Sequence, residues 1–370
     1  MNNSQVGFFY IFMLLISVLQ AQSNYSFFVA GHSYGRPAIN SKGLHPPLKN
    51  KFSYLQNRLE IQFGVLTGDI VEHSSVASWD SVDADINALG LPVYFAPGNH
   101  DMTNRPLYES RYGDSYYHFL HHNDLFIILD PNIDGWNISG TQFTYLDSLL
   151  NSTSPLVDNI FVFFHQVLWH EHYPSIIPNS MAGKADSINF WTEVEPLFSI
   201  LPNQVFMFSG DFYAWTYATE VMYDRYDNIS LIGSGMGGGA KDNFIVVNVG
   251  SNKQVCYDLI CLESSNLDCL GPLSNHQVFI YSADQKHELG AMIIFPNPCS
   301  KTLQLKLDQP IYKTKIRVFD SKGSCIKEIY YEQFFKDKIP LDSIDNGIYY
   351  LQVVQQSSSK TIKFIKGLSP

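Results

Sequence analysis

Thr67-Gly68-Asp69-Ile70-Val71-Glu72, followed about thirty residues later by Ala96-Pro97-Gly98-Asn99-His100-Asp101, is the pair of stretches whose reading decides the fold. Each closes a run that reads as a buried strand: Gly64-Val65-Leu66 before the first, and Leu91-Pro92-Val93-Tyr94-Phe95 before the second. Apolar runs of this length bounded by Gly and Pro are expected of parallel strands covered on both faces. A third run, Ile160-Phe161-Val162-Phe163-Phe164, delivers His165, and a fourth, Gln204-Val205-Phe206-Met207-Phe208-Ser209-Gly210, delivers Asp211. Carboxylates, an Asn and two His at the carboxyl ends of successive strands converge on one rim of an α/β layer fold, where N and O donors suit a metal ion.

Alone, Gly68-Asp69 is what any turn selects. The ordered set says more, and it resembles the calcineurin-like metallophosphoesterases. Their signature runs Asp-x-His, Gly-Asp, Gly-Asn-His-Asp/Glu, His, Gly-His-x-His. The matching residues are Gly68-Asp69, Gly98-Asn99-His100-Asp101 and His165, and the resemblance covers roughly residues 26 to 260. The two ends of the signature depart from it. Gly31-His32-Ser33-Tyr34-Gly35 stands where the family has Ser-Asp-x-His-Gly, so His32 and Tyr34 take the places of its Asp and His. Gly210-Asp211-Phe212-Tyr213 stands where Gly-His-x-His is expected. His, Asp and Tyr can all ligate metals.

The resemblance implies a four-layer α/β/β/α sandwich and one or two divalent or transition metal ions, of the Mn, Fe, Zn or Mg kind. Carried over by position, one ion takes Asp69, Asn99, His165 and Asp211, and the other takes Asp69 with His32, Tyr34 and Tyr213. The chemistry implied is hydrolysis of a phosphoric mono- or diester by a metal-bound hydroxide. His100 is then the catalytic acid or charge stabiliser at the leaving oxygen, with Asp101 fixing its tautomer. Arg36 and Arg105, each just beyond a motif, are the nearest forks for a phosphoryl oxygen. His170, in Trp169-His170-Glu171-His172-Tyr173, is a candidate substrate contact in the long loop from Gln166 to Ser187. His118, His121 and His122 precede the strand Leu125-Phe126-Ile127-Ile128-Leu129-Asp130 and read as structural or surface residues. The run Gly233-Ser234-Gly235-Met236-Gly237-Gly238-Gly239 lacks the Lys and the helix of a P-loop and reads as a tight loop between strands.

At 370 residues, with 45% apolar and 14% aromatic residues, the chain is long enough for more than one buried core. A net charge of -11 argues against nucleic-acid backbone binding, which needs a basic face. Residues 1–21 read as a signal peptide, with an apolar stretch from Val6 to Leu19 and a small residue, Ala21, at the end. Five cysteines are an odd count, and a disulfide among Cys256, Cys261 and Cys269 or with the tail cysteines suits an oxidising compartment without the pairing being deducible.

The character changes after a polar linker, residues 262–289. From residue 290 to 370 short alternating runs such as Lys315-Ile316-Arg317-Val318-Phe319, with the turn signal Asp320-Ser321-Lys322-Gly323, predict a small all-β sandwich. Phe295-Pro296-Asn297-Pro298, Asn346-Gly347-Ile348-Tyr349-Tyr350 and Lys360-Thr361-Ile362-Lys363-Phe364 occur in order through it. This tail resembles the C-terminal sorting domain of the type IX secretion system, which implies that machinery as a partner and a place outside, or on the outer surface of, a Gram-negative bacterium. With residues 22–261 as the phosphoesterase-like region, two functions follow. One is a secreted metal-dependent phosphoesterase acting on a phosphorylated small molecule or polymer. The other is a non-catalytic relative that uses the fold to bind a ligand at the cell surface.

Overall fold

A computed structural model describes residues 24–36, 42–262, 265–278, 292–355 and 358–367. The expected signal peptide lies outside these residues, as does much of the expected linker. The chain divides into two compact units, one up to Phe279 and one from Ile280 onward.

Among the described residues the first unit has eleven strands: β1 (Tyr25–Gly31), β2 (Ile61–Thr67), β3 (Val93–Ala96), β4 (Tyr117–His121), β5 (Asp124–Ile128), β6 (Asn159–Phe164), β7 (Gln204–Ser209), β8 (Val221–Tyr226), β9 (Ile229–Ser234), β10 (Asn243–Val249) and β11 (Val255–Cys261). They form two mixed sheets, ordered β11-β10-β1-β2-β3 and β4-β5-β6-β7-β9-β8. The pairs β1–β2, β2–β3, β5–β6, β6–β7 and β7–β9 are parallel. Of the runs that the sequence marks as buried strands, β2, β6 and β7 are central and parallel, while β3 is a parallel edge strand; antiparallel β11, β4 and β8 occupy the other edges.

Side-chain alternation builds the layers. Phe27, Val29, Phe63 and Val65 point to one side and pack with Phe126, Phe161, Phe163, Phe206 and Phe208 from the other sheet, an aromatic core between two face-to-face sheets. The alternate residues Phe28, Ala30 and Leu66 pack outward against Leu48, Leu55, Trp79, Val82 and Leu89 of the covering helices. The helix Val76–Leu89 opens with the Ser75 hydroxyl accepting from the Ser78 amide and ends at Gly90 in the left-handed region (φ 69°). On the far face of the second sheet the helix Gly140–Thr153 buries Leu146, Leu149 and Leu150. This is the expected four-layer arrangement. Cys261 and Cys269 form a disulfide that ties the end of β11 to the segment after it.

The second unit is all β: β12 (Met292–Phe295), β13 (Thr302–Phe319), β14 (Cys325–Pro340), β15 (Gly347–Gln355) and β16 (Ser358–Lys366). These strands pair with one another antiparallel. Leu303, Leu305, Ile316, Val318, Ile339, Leu351, Val353 and Phe364 make its core. The expected turn is present, with Gly323 at φ 83° donating to the Asp320 carbonyl. The strands run longer than the sequence suggests. β13 continues through an irregularity between Lys306 and Ile311, a register shift that interrupts the alternation the eye follows. Among the described residues no helix is long and apolar enough to cross a membrane.

Candidate metal centre

Parallel strands carry their carboxyl ends to one rim, and the turns leaving β1, β2, β3, β6 and β7 deliver His32, Asp69, the 98–101 stretch, His165 and Asp211 there. Three of the expected ligands hold a left-handed backbone that non-glycine residues seldom adopt: His32 (φ 51°), Asp69 (φ 46°) and Tyr213 (φ 45°). Such conformations cost about 1–3 kcal/mol each and gather where a function holds them. Close approach requires glycine beside them. A Cβ on Gly98 would come within 2.2 Å of Asp69 Oδ1, and one on Gly68 within 2.5 Å of the His165 ring.

Asp69 is the hub. Its Oδ1 accepts the His100 backbone amide at 3.0 Å. Its Oδ2 faces His32 Nε2 at 3.2 Å, His165 Nε2 at 3.3 Å and His100 Nε2 at 4.0 Å. His165 Nε2 also lies 3.8 Å from Asp211 Oδ1. Although burial opposes its charge, the two imidazoles His165 and His32 hold the Asp69 carboxyl well below the usual carboxylate range. Burial would likewise keep His165 neutral, yet Asp69 and Asp211 raise it to about 10. Burial, together with the Asp69 charge, pushes the Asp211 carboxyl up.

His165 Nδ1 bonds the Thr67 carbonyl at 2.9 Å, so its other nitrogen is the one presented to the carboxylates. That nitrogen is fully buried and makes no hydrogen bond. Donor atoms sharing an ion at about 2.0–2.1 Å stand roughly 3.0–3.4 Å apart, which is the spacing of both imidazoles from Asp69 Oδ2. Among the described residues these side chains pair with one another and do not form a closed shell of three. Their chemistry nonetheless fits a divalent ion, which would replace a shared proton between carboxylate and imidazole.

Asp101 corrects one expectation. It does not orient His100: its Oδ1 accepts the amides of Ile70 (2.9 Å) and Val71 (3.0 Å), and its Oδ2 accepts that of Gly98 (2.8 Å). A fully buried carboxylate thus clamps the Asp69 turn to the Asn99 turn. Burial and the Asp69 charge push this carboxyl up to about 7, against the pull of the Gly98 and Val71 amides. The Glu72 carbonyl has the role first given to Asp101, meeting His100 Nδ1 at 2.7 Å and leaving Nε2 toward Asp69. Asn99 is half-buried between Gly98 and His100, whose amides are held by Asp101 and Asp69.

The other expected residues divide. Tyr34 is buried with its ring 4.8 Å from His32 and 5.3 Å from His100, and burial, then Asp69, raises its phenol above the ordinary tyrosine value. The Tyr213 ring lies against Gly238, where a Cβ would come within 2.9 Å of it, and the charged groups near its phenol are Asp242, Glu220 and Lys241. Arg105 is committed elsewhere, at 2.7 Å from buried Asp130, 3.2 Å from Glu109 and 2.9 Å from Ser115 Oγ. The Asp130 contact is an ion pair without an aligned hydrogen bond. Arg36, by contrast, has a buried Nε without a hydrogen-bond partner among the described residues. His170 is half-buried, and burial followed by Lys184 lowers its pKa.

Two supports escaped the sequence reading. Asn179, from the long loop, bonds the Asp211 carbonyl through its amide at 3.2 Å, and its side chain favours ionised Asp211 without a full hydrogen bond. Buried His45 Nε2 meets Asp242 Oδ2 at 2.9 Å, while Asp242 Oδ1 accepts the amides of Gly237 and Gly239. The glycine run is therefore a loop closed by its own aspartate, as its lack of a P-loop Lys implies.

A family model described as calcineurin-like phosphoesterase matches residues 32–194. This stretch, somewhat under half of the chain, is similar to the calcineurin-like phosphoesterases. A second model, the secretion system C-terminal sorting domain, matches residues 293–367. That sorting domain points to export by the type IX route, to the outer surface of a Gram-negative bacterium. No curated protein matches the chain. Among solved structures, a Staphylococcus aureus protein described as a 5'-nucleotidase is similar over 66% of this chain and 55% of its own length, at 12% identity and a TM-score of 0.42. The chain thus spans about half the length of that protein. A Bacteroides vulgatus protein with an immunoglobulin-like β-sandwich fold is similar over 21% of this chain and 86% of its own, at 23% identity and a TM-score of 0.19. In the phosphoesterase unit the middle of the family signature keeps its residues, and the changed ends, His32 and Asp211, still face Asp69 or its partner His165.

Proposed function

We propose that the first unit is a secreted, metal-dependent phosphoesterase that hydrolyses a phosphoric mono- or diester. The observation that carries this is the convergence of two buried imidazole nitrogens on Asp69 Oδ2, one of them, His165 Nε2, without a hydrogen bond. Asp69, Asn99, His165, Asp211 and His32 would hold one ion. Tyr213 is turned toward Gly238, so a second complete shell is not part of the proposal. Bound there, a divalent ion would make a nearby water acidic enough to attack at neutral pH and would offset phosphoryl charge.

The chain's own groups do the rest. His100 is about one-third exposed, and its Nδ1 is anchored on the Glu72 carbonyl. Its Nε2 is thereby aimed into the site, to hand a proton to the departing oxygen or stabilise its charge. Arg36 brings a guanidinium whose buried Nε has no partner among the described residues, suited to a phosphoryl oxygen. Asp101 keeps the two turns in register.

The test is phosphate or phenol release from p-nitrophenyl phosphate and bis-p-nitrophenyl phosphate with Mn, Zn, Fe or Mg added, beside His100→Ala and Asp69→Asn. Metal-dependent release from wild type, abolished in Asp69→Asn and reduced about 10² to 10⁴-fold in His100→Ala, is the expected result. Absence of release with every metal and both esters removes the hydrolase and leaves the binding relative.

A further inference from the structure

At the β4 edge of the second sheet lies an open depression of about 760 Å³. Arg105, Tyr116, His118, Asn132 and Tyr145 line it, with Glu109 and Asp114 on the same wall. Topology puts it on the catalytic rim. β5 runs parallel to β6, whose end delivers His165, and the turn leaving β5 carries Asn132. β4 runs antiparallel to β5, so Tyr116 and Tyr117 at its start return to the same end.

Asn132 joins the depression to the site. Its Nδ2 donates to the Pro97 carbonyl at 3.0 Å and its Oδ1 accepts from Gln166 Nε2 at 2.6 Å. Pro97 directly precedes Gly98, and Gln166 directly follows His165. Asn99 is two residues on from Pro97, at most about 7 Å of chain. A group in the depression is therefore within one small molecule's length of the Asn99-His100 turn.

The lining has a definite character. Tyr116 meets Tyr145 edge-on, with ring centroids 5.4 Å apart, and Tyr145 Oη is held by His118 Nδ1 at 2.6 Å. Both tyrosines are half-buried. Arg105 is the cation of the wall, and its charge is already matched by Asp130 and Glu109. With Asp114 added, the balance is negative. Aromatic faces with carboxylate acceptors favour a flat ring that carries N–H donors and disfavour a second anion.

We propose that this depression receives the organic part of the ester, and that the class it takes is a donor-bearing aromatic base of the nucleoside kind. This rests on the phosphoesterase reading above. Through Asn132 and the Pro97 carbonyl the depression is joined to the turn that carries His100, the group that would hand a proton to the leaving oxygen.

Binding and turnover separate the two ideas. Adenosine would be titrated calorimetrically into the full chain without added metal, with ribose as control, for wild type, Tyr116→Phe and Tyr116→Ala. Saturable adenosine binding, kept in Tyr116→Phe and weakened about tenfold in Tyr116→Ala, supports the site. With metal, Tyr116→Ala should raise the KM for adenosine monophosphate by a similar factor and leave that for glycerol phosphate unchanged. Absent adenosine binding, or equal binding by wild type and Tyr116→Ala, overturns the proposal. Adenosine binding without hydrolysis of either ester by wild type keeps the base site and removes the hydrolase.

Discussion

Replacing Asp101 by Asn tests whether this carboxylate is a clamp or a catalytic partner. In the folded protein its oxygens receive three backbone N–H groups, from Ile70, Val71 and Gly98. An amide keeps one oxygen for Ile70 and Val71 but turns an NH2 toward the Gly98 N–H. One charge-assisted hydrogen bond, worth about 1.5–3 kcal/mol, is lost, and a buried donor is left unsatisfied at about 1–3 kcal/mol. The sum is about 2.5–6 kcal/mol, which for a unit of this size is a fall in Tm on the order of 10 °C. The assay is thermal unfolding by tryptophan fluorescence. All five tryptophans, Trp79, Trp136, Trp169, Trp191 and Trp215, lie in the first unit, so the signal reports that unit alone. Activity should fall with stability, and the pH profile of what remains should keep its shape because Glu72 still orients His100. An unchanged Tm with a large loss of kcat would refute the clamp and restore Asp101 as the partner of His100.

Arg105→Ala should destabilise the unit by about 3–5 kcal/mol, because Asp130 is left buried without its ion pair. Its KM for a small phosphate ester should stay put, while Arg36→Ala should raise that KM by about tenfold or more with little change in Tm; steady-state kinetics beside unfolding scans separate the two. Burial, then His122, lowers His121 to about 4. Between about pH 6.5 and 4 the unfolded chain therefore binds a proton that the folded chain does not, and stability falls as pH falls through that window. His121→Gln should flatten this acid dependence, measured as the urea midpoint at pH 7.5 and pH 5.

The parallel centre of the fold was legible because both faces of β2, β6 and β7 are covered, which forces continuous apolar runs, and because each run stops at a turn residue. Edge strands were less so. β4 is His-rich, half-exposed Tyr117-His118-Phe119-Leu120-His121, and β8 mixes Asp224 and Arg225 into its run, so neither announces itself. At the site, Asp69 and His165 were legible because strand ends locate them. The partners of His100 and Asp101 were not, since backbone groups supply them and a carbonyl has no letter in a sequence. The surroundings of Tyr213 were not legible either. Motif spacing counts residues, whereas the left-handed turn at Tyr213 (φ 45°) sends its ring toward Gly238. The tail kept its order of motifs, but the run Lys315–Phe319 is only the end of the longer β13, whose register shift breaks the alternation.

The central claim is that Asp69 gathers His165, Asp211, Asn99 and His32 around one ion. Elemental analysis of the purified full chain after reconstitution with Mn, Fe, Zn or Mg, beside Asp69→Asn, tests it without reference to any substrate. About one ion per chain in wild type, lost in Asp69→Asn while tryptophan fluorescence shows the variant folded, is the predicted result. A chain that retains no metal under any loading condition, or an Asp69→Asn variant that retains as much as wild type, would contradict it.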